Sequence, residues 1–295
     1  MNQTHHNFDQ ETKGWVDLIH PREPSKRLTT DLDARWVIIG AGFTGLSCAR
    51  RLAELNPNEK IILLEAREIG QSASGRNSGY AVAHSHFSGG YQKSQLEHYQ
   101  RIDRINQTGL NSLKSIIENS QIECDYKDSG IYHMAADKNS SEECDQFLDY
   151  LQKREIEHTK LSKDQINMEL GTNWYIKGVK VKNGALVQPA KLVFGLADSL
   201  PSNVELYENS PVLQIDKGRV NRIKTPSSIL KAENIIMACN YEPIANGKLK
   251  QRVVGVTLSG SITRVLNQDE VELLGTEPSW GVLSLHSVGA TVRLP

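Results

Sequence analysis

Cysteine is scarce in this sequence. The four that occur, Cys48, Cys124, Cys144 and Cys239, lie far apart with no C-x-x-C pair. That pattern excludes a disulfide-stapled scaffold and reads as free thiols, with Cys48 and Cys239 buried, in a reducing compartment; the expected localisation is cytoplasmic. Long apolar runs are absent too. No stretch approaches the roughly 20 residues a membrane span requires. The N-terminal MNQTHHNFDQETKGWVDLIH has neither an apolar core nor a basic leader, so no secretory signal is expected there. Excess charge is missing: 34 basic residues against 35 acidic give a net charge of -1, which removes any general attraction to nucleic acid or to an anionic membrane. No G-x-S-x-G, no H-E-x-x-H and no Cys/His cluster at ligand spacing occurs, so neither an activated nucleophile nor a metal is expected. What remains is an ordinary soluble composition, 38% hydrophobic and 23% charged over 295 residues, enough for two domains or one large one.

The stretch around which the rest is organised is V-I-I-G-A-G-F-T-G-L-S, residues 37–47. Residues 36–39 form an apolar, β-branched run suited to a strand covered on both faces. Gly40 makes a tight turn, Gly42 lets backbone approach a pyrophosphate, and Gly45 lets the following helix pack against the strand. The helix start, with Phe43 and Thr44, presents free N–H groups and a positive dipole end to phosphate. Residues 44–55 predict that helix, with Leu46, Ala49, Leu52 and Ala53 on one face. Asn56-Pro57-Asn58 ends it. A second strand, residues 61–64, closes on Glu65, where an acidic side chain would take a ribose hydroxyl. The same charge would repel a 2′-phosphate, so the site suits FAD or NAD and not NADP.

Residues 66–79, beginning Ala66-Arg67, are too rich in Gly, Ser and Asn for helix or strand. Within them run Ala73, Ser74, Gly75, Arg76, Asn77, Ser78 and Gly79. Small residues allow close backbone approach to a ligand, and Arg76 offers a fixed positive fork to phosphate; a plain solvated loop has the same composition. The glycine fingerprint, the terminal Glu65 and the A-S-G-R-N-S-G run at this distance resemble the FAD-dependent D-amino-acid oxidase (DAO) superfamily. The likeness is strongest to its bacterial amine and amino-acid oxidoreductases of the γ-glutamylputrescine oxidase type. The resemblance implies an α/β architecture: a Rossmann-like FAD-binding domain with an inserted α+β substrate domain. It implies FAD as cofactor and oxidation of an amine or amino acid to an imine, with hydride passing to the flavin and O₂ or another acceptor taking the electrons. It places the chain after the Arg76-Asn77 loop near the flavin ring, which makes His84, His86 and Tyr91 candidates there; exposed loop histidines are the alternative.

Further along, apolar residues at three- and four-residue steps predict a helix or two over 94–120 and helices over 141–154 and 161–170, the last with Ser162 as N-cap. A strand is expected at 130–134. Residues 184–189 resemble the family's return to the flavin domain. A helix follows from Pro189, then strands at 204–207, 211–215, 220–224 and about 233–240. The resemblance puts Val212 at the adenine end of FAD by its backbone. It aligns Ala238 with the strand that approaches the phosphates, although Cys239-Asn240 stands where many members have a glycine. Residues 251–266 read as one bent strand or two, and 280–284 and 289–294 as further strands of a substrate-facing sheet. Arg252, Arg264, His286 and Arg293 are candidates to reach a substrate carboxylate or amine-bearing tail; arginines on exposed sheet edges are the plainer reading. The expected domains are an extended segment over 1–34, an FAD-binding domain over 35–92 and 184–247, and a substrate domain over 93–183 and 248–295. The segment 1–34 is either anchored by Trp15, Val16, Leu18 and Ile19 or a free tail. The last residues fall inside a strand-like run, where the resemblance implies on the order of 100 more; the substrate domain is therefore expected to be incomplete at its C-terminus. Two other readings stay open: a catalytically inactive remnant that holds FAD weakly or not at all, and an NAD-linked dehydrogenase, against which the Arg76-Asn77 loop argues.

Overall fold

A computed structural model describes residues 14–84, 93–240, 252, 256, 258–286 and 289–295. The chain is mixed α/β and divides into two units, Met1–Asn77 with Pro189–Ser261, and Ser78–Gln188 with Ile262–Pro295.

In the first unit, β1 (Leu32–Ile39) runs parallel to β2 (Ile61–Leu64) on one side and to β11 (Ile229–Met237) on the other. β8 (Val204–Tyr207) extends the parallel set beyond β2, and β10 (Asn221–Lys224) and β9 (Gln214–Asp216) add an antiparallel flank. The order is β8-β2-β1-β11-β10-β9. Helix α1 (Phe43–Leu55) links β1 to β2 and buries Gly45, Leu46, Ala49 and Ala53. Helix α6 (Pro189–Asp198) packs beside α1 and buries Leu192, Val193 and Leu196. Val37, Ile39, Ile62 and Leu64 enter one core with Leu28, Tyr207 and Leu230. Period-2 alternation turns Ile38, Ile61 and Leu63, all fully buried, to the other face. Both faces are thus covered, as a parallel sheet with continuous apolar strands requires.

The second unit holds a five-stranded sheet ordered β13-β12-β4-β6-β5: β13 (Val292–Leu294), β12 (Trp280–Ser284), β4 (Ile131–Ala135), β6 (Lys177–Val181) and β5 (His158–Ser162). Helices α3 (Leu96–Asn119) and α4 (Lys138–Lys153) supply Tyr99, Phe147, Tyr150 and Leu151 to the core on one face of it. Helix α5 (Lys163–Leu170) supplies Ile166 and Leu170 on the other, against Tyr132 and Met134. Ser162 caps α5 as expected, in a box with Gln165. A short ladder pairs β3 (Tyr80–Val82) with β7 (Gly184–Leu186).

Several expectations are corrected. β1 begins at Leu32, inside the segment expected to be extended, because residues 32–34 pair with 230–232. The loop 66–79 contains a helical turn, α2 (Ala73–Arg76), packed on α6. Residues 78–84 and 184–188 fall in the second unit rather than the first. The reason is local: among the described residues β3 and β7 pair with each other alone, and Lys127 bridges to Leu186. The described part of 251–266 is not strand. Leu258 and Val265 there are 88% and 92% exposed, and among the described residues no ladder reaches them; β-branched composition makes a strand only where another strand pairs with it. Cys48 and Cys239 are only partly buried, and none of the four cysteines is in a disulfide. The segment before β1 is anchored: Trp15 does so as expected, through the Asn77 carbonyl, Arg22 and Leu28 add to it, and Leu18 does not take part, being 63% exposed.

Candidate functional site

The first unit's site is built where β1 ends and α1 begins. Gly40 turns at φ +100°, and its N–H donates to the Leu64 carbonyl at 2.7 Å. A Cβ at Gly40 would stand 2.7 Å from the Ala238 carbonyl oxygen, and Ala238 donates its own N–H to Ile39 at 2.8 Å. A Cβ at Gly45 would fall 1.8 Å from the Gly40 carbonyl oxygen. Only glycine permits the helix to begin so close to the turn it leaves. Leu46 makes the first intrahelical bond, to Gly42. The N–H groups of Thr44 and Gly45 lie ahead of that bond, in the first turn, and they add to the positive end of the helix dipole. The Phe43 N–H donates to Ser74 Oγ at 3.0 Å, which brings the loop 66–77 against the helix start. Gly42 faces the same hydroxyl, with a Cβ there only 2.7 Å from Ser74 Oγ.

Glu65 follows β2 directly. Its Oε2 accepts the Ala41 N–H at 2.8 Å and its Oε1 the Arg67 N–H at 3.1 Å. An ionised carboxylate has about four lone-pair positions, so two remain for ribose hydroxyls. The Glu65 backbone is fixed by the Tyr207 carbonyl and by the Ser210 N–H, both 2.9 Å away. Gly75 packs against Gly70 so closely that a Cβ would lie 2.1 Å from the Gly70 carbonyl oxygen. Asn77 closes α2 by donating Nδ2 to the Ala73 and Ser74 carbonyls at 3.2 and 2.8 Å. Ala66, Arg76 and Thr44 are exposed in this region, and Val212 is partly buried against the core of the sheet. The glycine cradle, the helix start and the spare carboxylate capacity fit a dinucleotide pyrophosphate and ribose.

One part of this unit escaped sequence reasoning. Glu208 is fully buried and follows β8 as Glu65 follows β2. Its Oε2 accepts from Arg22 Nη1 and from the Ser25 N–H, each at 2.6 Å, and its Oε1 from the Ile69 N–H at 2.6 Å. Arg22 Nε also meets Asp198 at 2.7 Å. Burial opposes the charge on Arg22, but the hydrogen bonds and charges of Glu208 and Asp198 outweigh it and its pKa ends above the ordinary value. An acidic residue closing an apolar strand was the available signal.

The second unit receives the other candidates. His84 follows β3 with its Nδ1 3.2 Å from Asp103 Oδ1. Tyr150 donates its hydroxyl to the other oxygen of Asp103, and burial, then this bond, pushes the Tyr150 pKa up. His86 and Tyr91 lie outside the described residues. Arg264 is exposed and forked on Glu270, with Nη1 and Nη2 at 2.8 and 2.6 Å, so its guanidinium fastens the start of α7 (Gln268–Glu272). His286 donates its backbone N–H to Ser284 Oγ at 3.1 Å, just after β12. Arg293 on β13 donates Nη1 to the Ser78 and Val187 carbonyls at 2.9 and 2.7 Å, and its partial burial lowers its pKa. Ser78 and Gly79 belong to this unit, Gly79 at φ +74° accepting the Val187 N–H. Arg252 is exposed in the first unit. The structure thus gathers the glycines, Glu65 and the residues through Asn77 into one place, and leaves Arg264 and Arg293 in local structural pairings.

Residues 35–291 match the DAO family, described as FAD dependent oxidoreductase. The chain is 28% identical over 221 residues to the probable oxidoreductase OrdL of Haemophilus influenzae, covering 69% of this chain and 48% of that protein. It is 28% identical over 222 residues to the gamma-glutamylputrescine oxidoreductase of Escherichia coli, covering 74% and 51%. It therefore spans about half the length of these relatives. Among solved structures, the glycine oxidase of Geobacillus kaustophilus superposes with a TM-score of 0.59 at 18% identity, over 70% of this chain and 55% of that one. The L-proline dehydrogenase of P. horikoshii does so with a TM-score of 0.58 at 16% identity, over 79% and 58%. At these identities the two structures speak for the fold.

Proposed function

Because the chain belongs to the DAO family of FAD dependent oxidoreductases, we propose that its first unit holds FAD and that the protein oxidises the C–N bond of an amine or amino acid to an imine. The observation that carries the reading is the cradle at Gly40, Gly42 and Gly45, with the open start of α1 and the Glu65 carboxylate beside it. In it, the N–H groups at the start of α1 would take the pyrophosphate, Glu65 the ribose, and Arg76 at the end of α2 a phosphate oxygen. The flavin would supply the two-electron acceptor for the C–H bond beside the amine. The protein's part is to bind, orient and exclude water. In the second unit, His84 is the candidate whose side chain is fixed against a buried carboxylate, that of Asp103. The E. coli relative's name supports a small amine as substrate; the reduced flavin would pass its electrons to O₂ or another molecule. Four cysteines outside any disulfide support a reducing, cytoplasmic setting.

The test is a visible absorbance spectrum of the purified chain with added FAD, after gel filtration. Flavin bands that travel with the protein, and that bleach on adding an amine without O₂, are the expected result. A chain that remains colourless overturns the FAD reading and leaves the inactive remnant. Retained bands that no amine or amino acid bleaches overturn the oxidase reading alone.

A further inference from the structure

The residues that lead into β1 touch the dinucleotide loop at both of its ends. Near its start, the Ile69 N–H is held by Glu208 Oε1, and Glu208 is itself held by Arg22 and by the Ser25 N–H through Oε2. At its end, Trp15 donates its indole N–H to the Asn77 carbonyl at 2.9 Å. From Asn77 the hydrogen bonds continue: its side chain holds the Ser74 carbonyl, and the Ser74 hydroxyl holds the Phe43 N–H at the start of α1. Leu28 pins the far end of the segment, with 1% of its surface exposed and its N–H on Ser210 Oγ at 2.9 Å.

The loop between these two fixed points contains Gly70, Ser72, Ser74 and Gly75, a composition with much conformational freedom to lose. A loop that is ordered only when ligand arrives spends binding energy on that ordering; one already held does not. Glu208 carries a full negative charge away from water, and Arg22 is its one charged partner among the described residues, so the segment also keeps that carboxylate compatible with burial.

We propose that residues 15–28 form a strap that pre-orders the loop 66–77 for FAD, with Trp15 and Arg22 as positioning residues. This rests on the FAD reading above. The bonds from Trp15 and through Glu208 fall on the loop, so the effect of the strap reaches the ligand through it. It predicts that FAD affinity depends on two side chains that lie outside the glycine fingerprint and outside the A-S-G-R-N-S-G run.

The experiment titrates FAD into the full chain and into its Trp15→Phe, Arg22→Lys and Arg22→Met variants, and measures the thermal midpoint of each without FAD. Trp15→Phe removes one donor from a partly exposed residue and leaves the core untouched. It is expected to raise the FAD dissociation constant about fivefold, as for one hydrogen bond, with the FAD-free midpoint lowered by no more than roughly 4 °C. Arg22→Met is expected to raise it further, and Arg22→Lys, which keeps a charge beside Glu208, to fall between. Variants that melt lower but bind FAD as tightly as the parent chain would overturn the strap and leave a merely structural contact. If Arg22→Met does not fold, Trp15→Phe and Arg22→Lys decide. A parent chain that takes up no FAD overturns the underlying reading and the strap with it; a parent that binds, with variants that match it, overturns the strap alone.

Discussion

A methyl group at Gly45 has no space to occupy. Its Cβ would stand 1.8 Å from the Gly40 carbonyl oxygen and 2.9 Å from the carbonyl carbon, where ordinary contact begins at 3.4 Å. Restoring contact with that oxygen requires the start of α1 to withdraw from the turn by about 1.6 Å, from 1.8 to 3.4 Å, and the obstacle is backbone that no rotamer change can clear. Withdrawal would loosen Leu46, Ala49 and Ala53, all packed on the sheet. Overpacking of this kind costs roughly 1–3 kcal/mol, and at about 2–4 °C per kcal/mol for a chain of this size the midpoint of Gly45→Ala should fall by roughly 5 °C. Gly42→Ala is the internal comparison. Its Cβ would meet only Ser74 Oγ, at 2.7 Å, which can rotate away at the loss of the Phe43 N–H bond, about 1 kcal/mol. Gly42→Ala should therefore cost less stability than Gly45→Ala while weakening FAD by tenfold or more, roughly 1.4 kcal/mol. Differential scanning fluorimetry without FAD, followed by a flavin fluorescence titration, measures both. A Gly45→Ala chain that melts with the parent, or a Gly42→Ala chain less stable than Gly45→Ala, would refute the argument from the cradle.

Glu65→Ala removes the acceptor of the Ala41 and Arg67 N–H groups and the proposed ribose contact; FAD affinity should fall by at least tenfold in the same titration, roughly 1.4 kcal/mol. Glu208→Ala leaves Arg22 and two backbone N–H groups without their carboxylate, and a urea midpoint should report a loss of roughly 3–5 kcal/mol. Burial raises the Cys144 thiol from 9.0 to about 11. Between those values the unfolded chain binds fewer protons than the folded one, so the stabilisation is intact below pH 9.0 and is lost as pH rises toward about 11. Melting temperatures across that window should fall less steeply for Cys144→Ala than for the parent, and equal slopes would count against the assignment.

Much of the first unit was legible because its signals are local. A β-branched run, three glycines at fixed spacing, an amphipathic helix and a terminal carboxylate are each read within a dozen residues, and β1, α1, β2 and Glu65 stand where that pattern puts them. The helices α4 and α5 and the strands β8 and β12 were legible for the same reason, by periodicity and capping. The described part of residues 251–266 shows the opposite case. Its composition suits a strand, but a strand exists only where another backbone offers its hydrogen bonds, and composition carries no record of the partner.

By itself, the sequence determined the glycine turn after β1, the carboxylate that closes β2 and the family to which the chain belongs, because glycine geometry and a short apolar strand act at short range. Only the tertiary structure decided that Ser74 would meet Phe43, that Ser78 and Gly79 would leave the first unit for the second, and that Trp15 and Glu208 would hold the loop between them. Those contacts join residues 31, 62 and 139 positions apart, and no local propensity encodes them. They arise when burial of the β1, β2 and β8 side chains brings the strand ends together, and each polar group at those ends must find a partner to leave water.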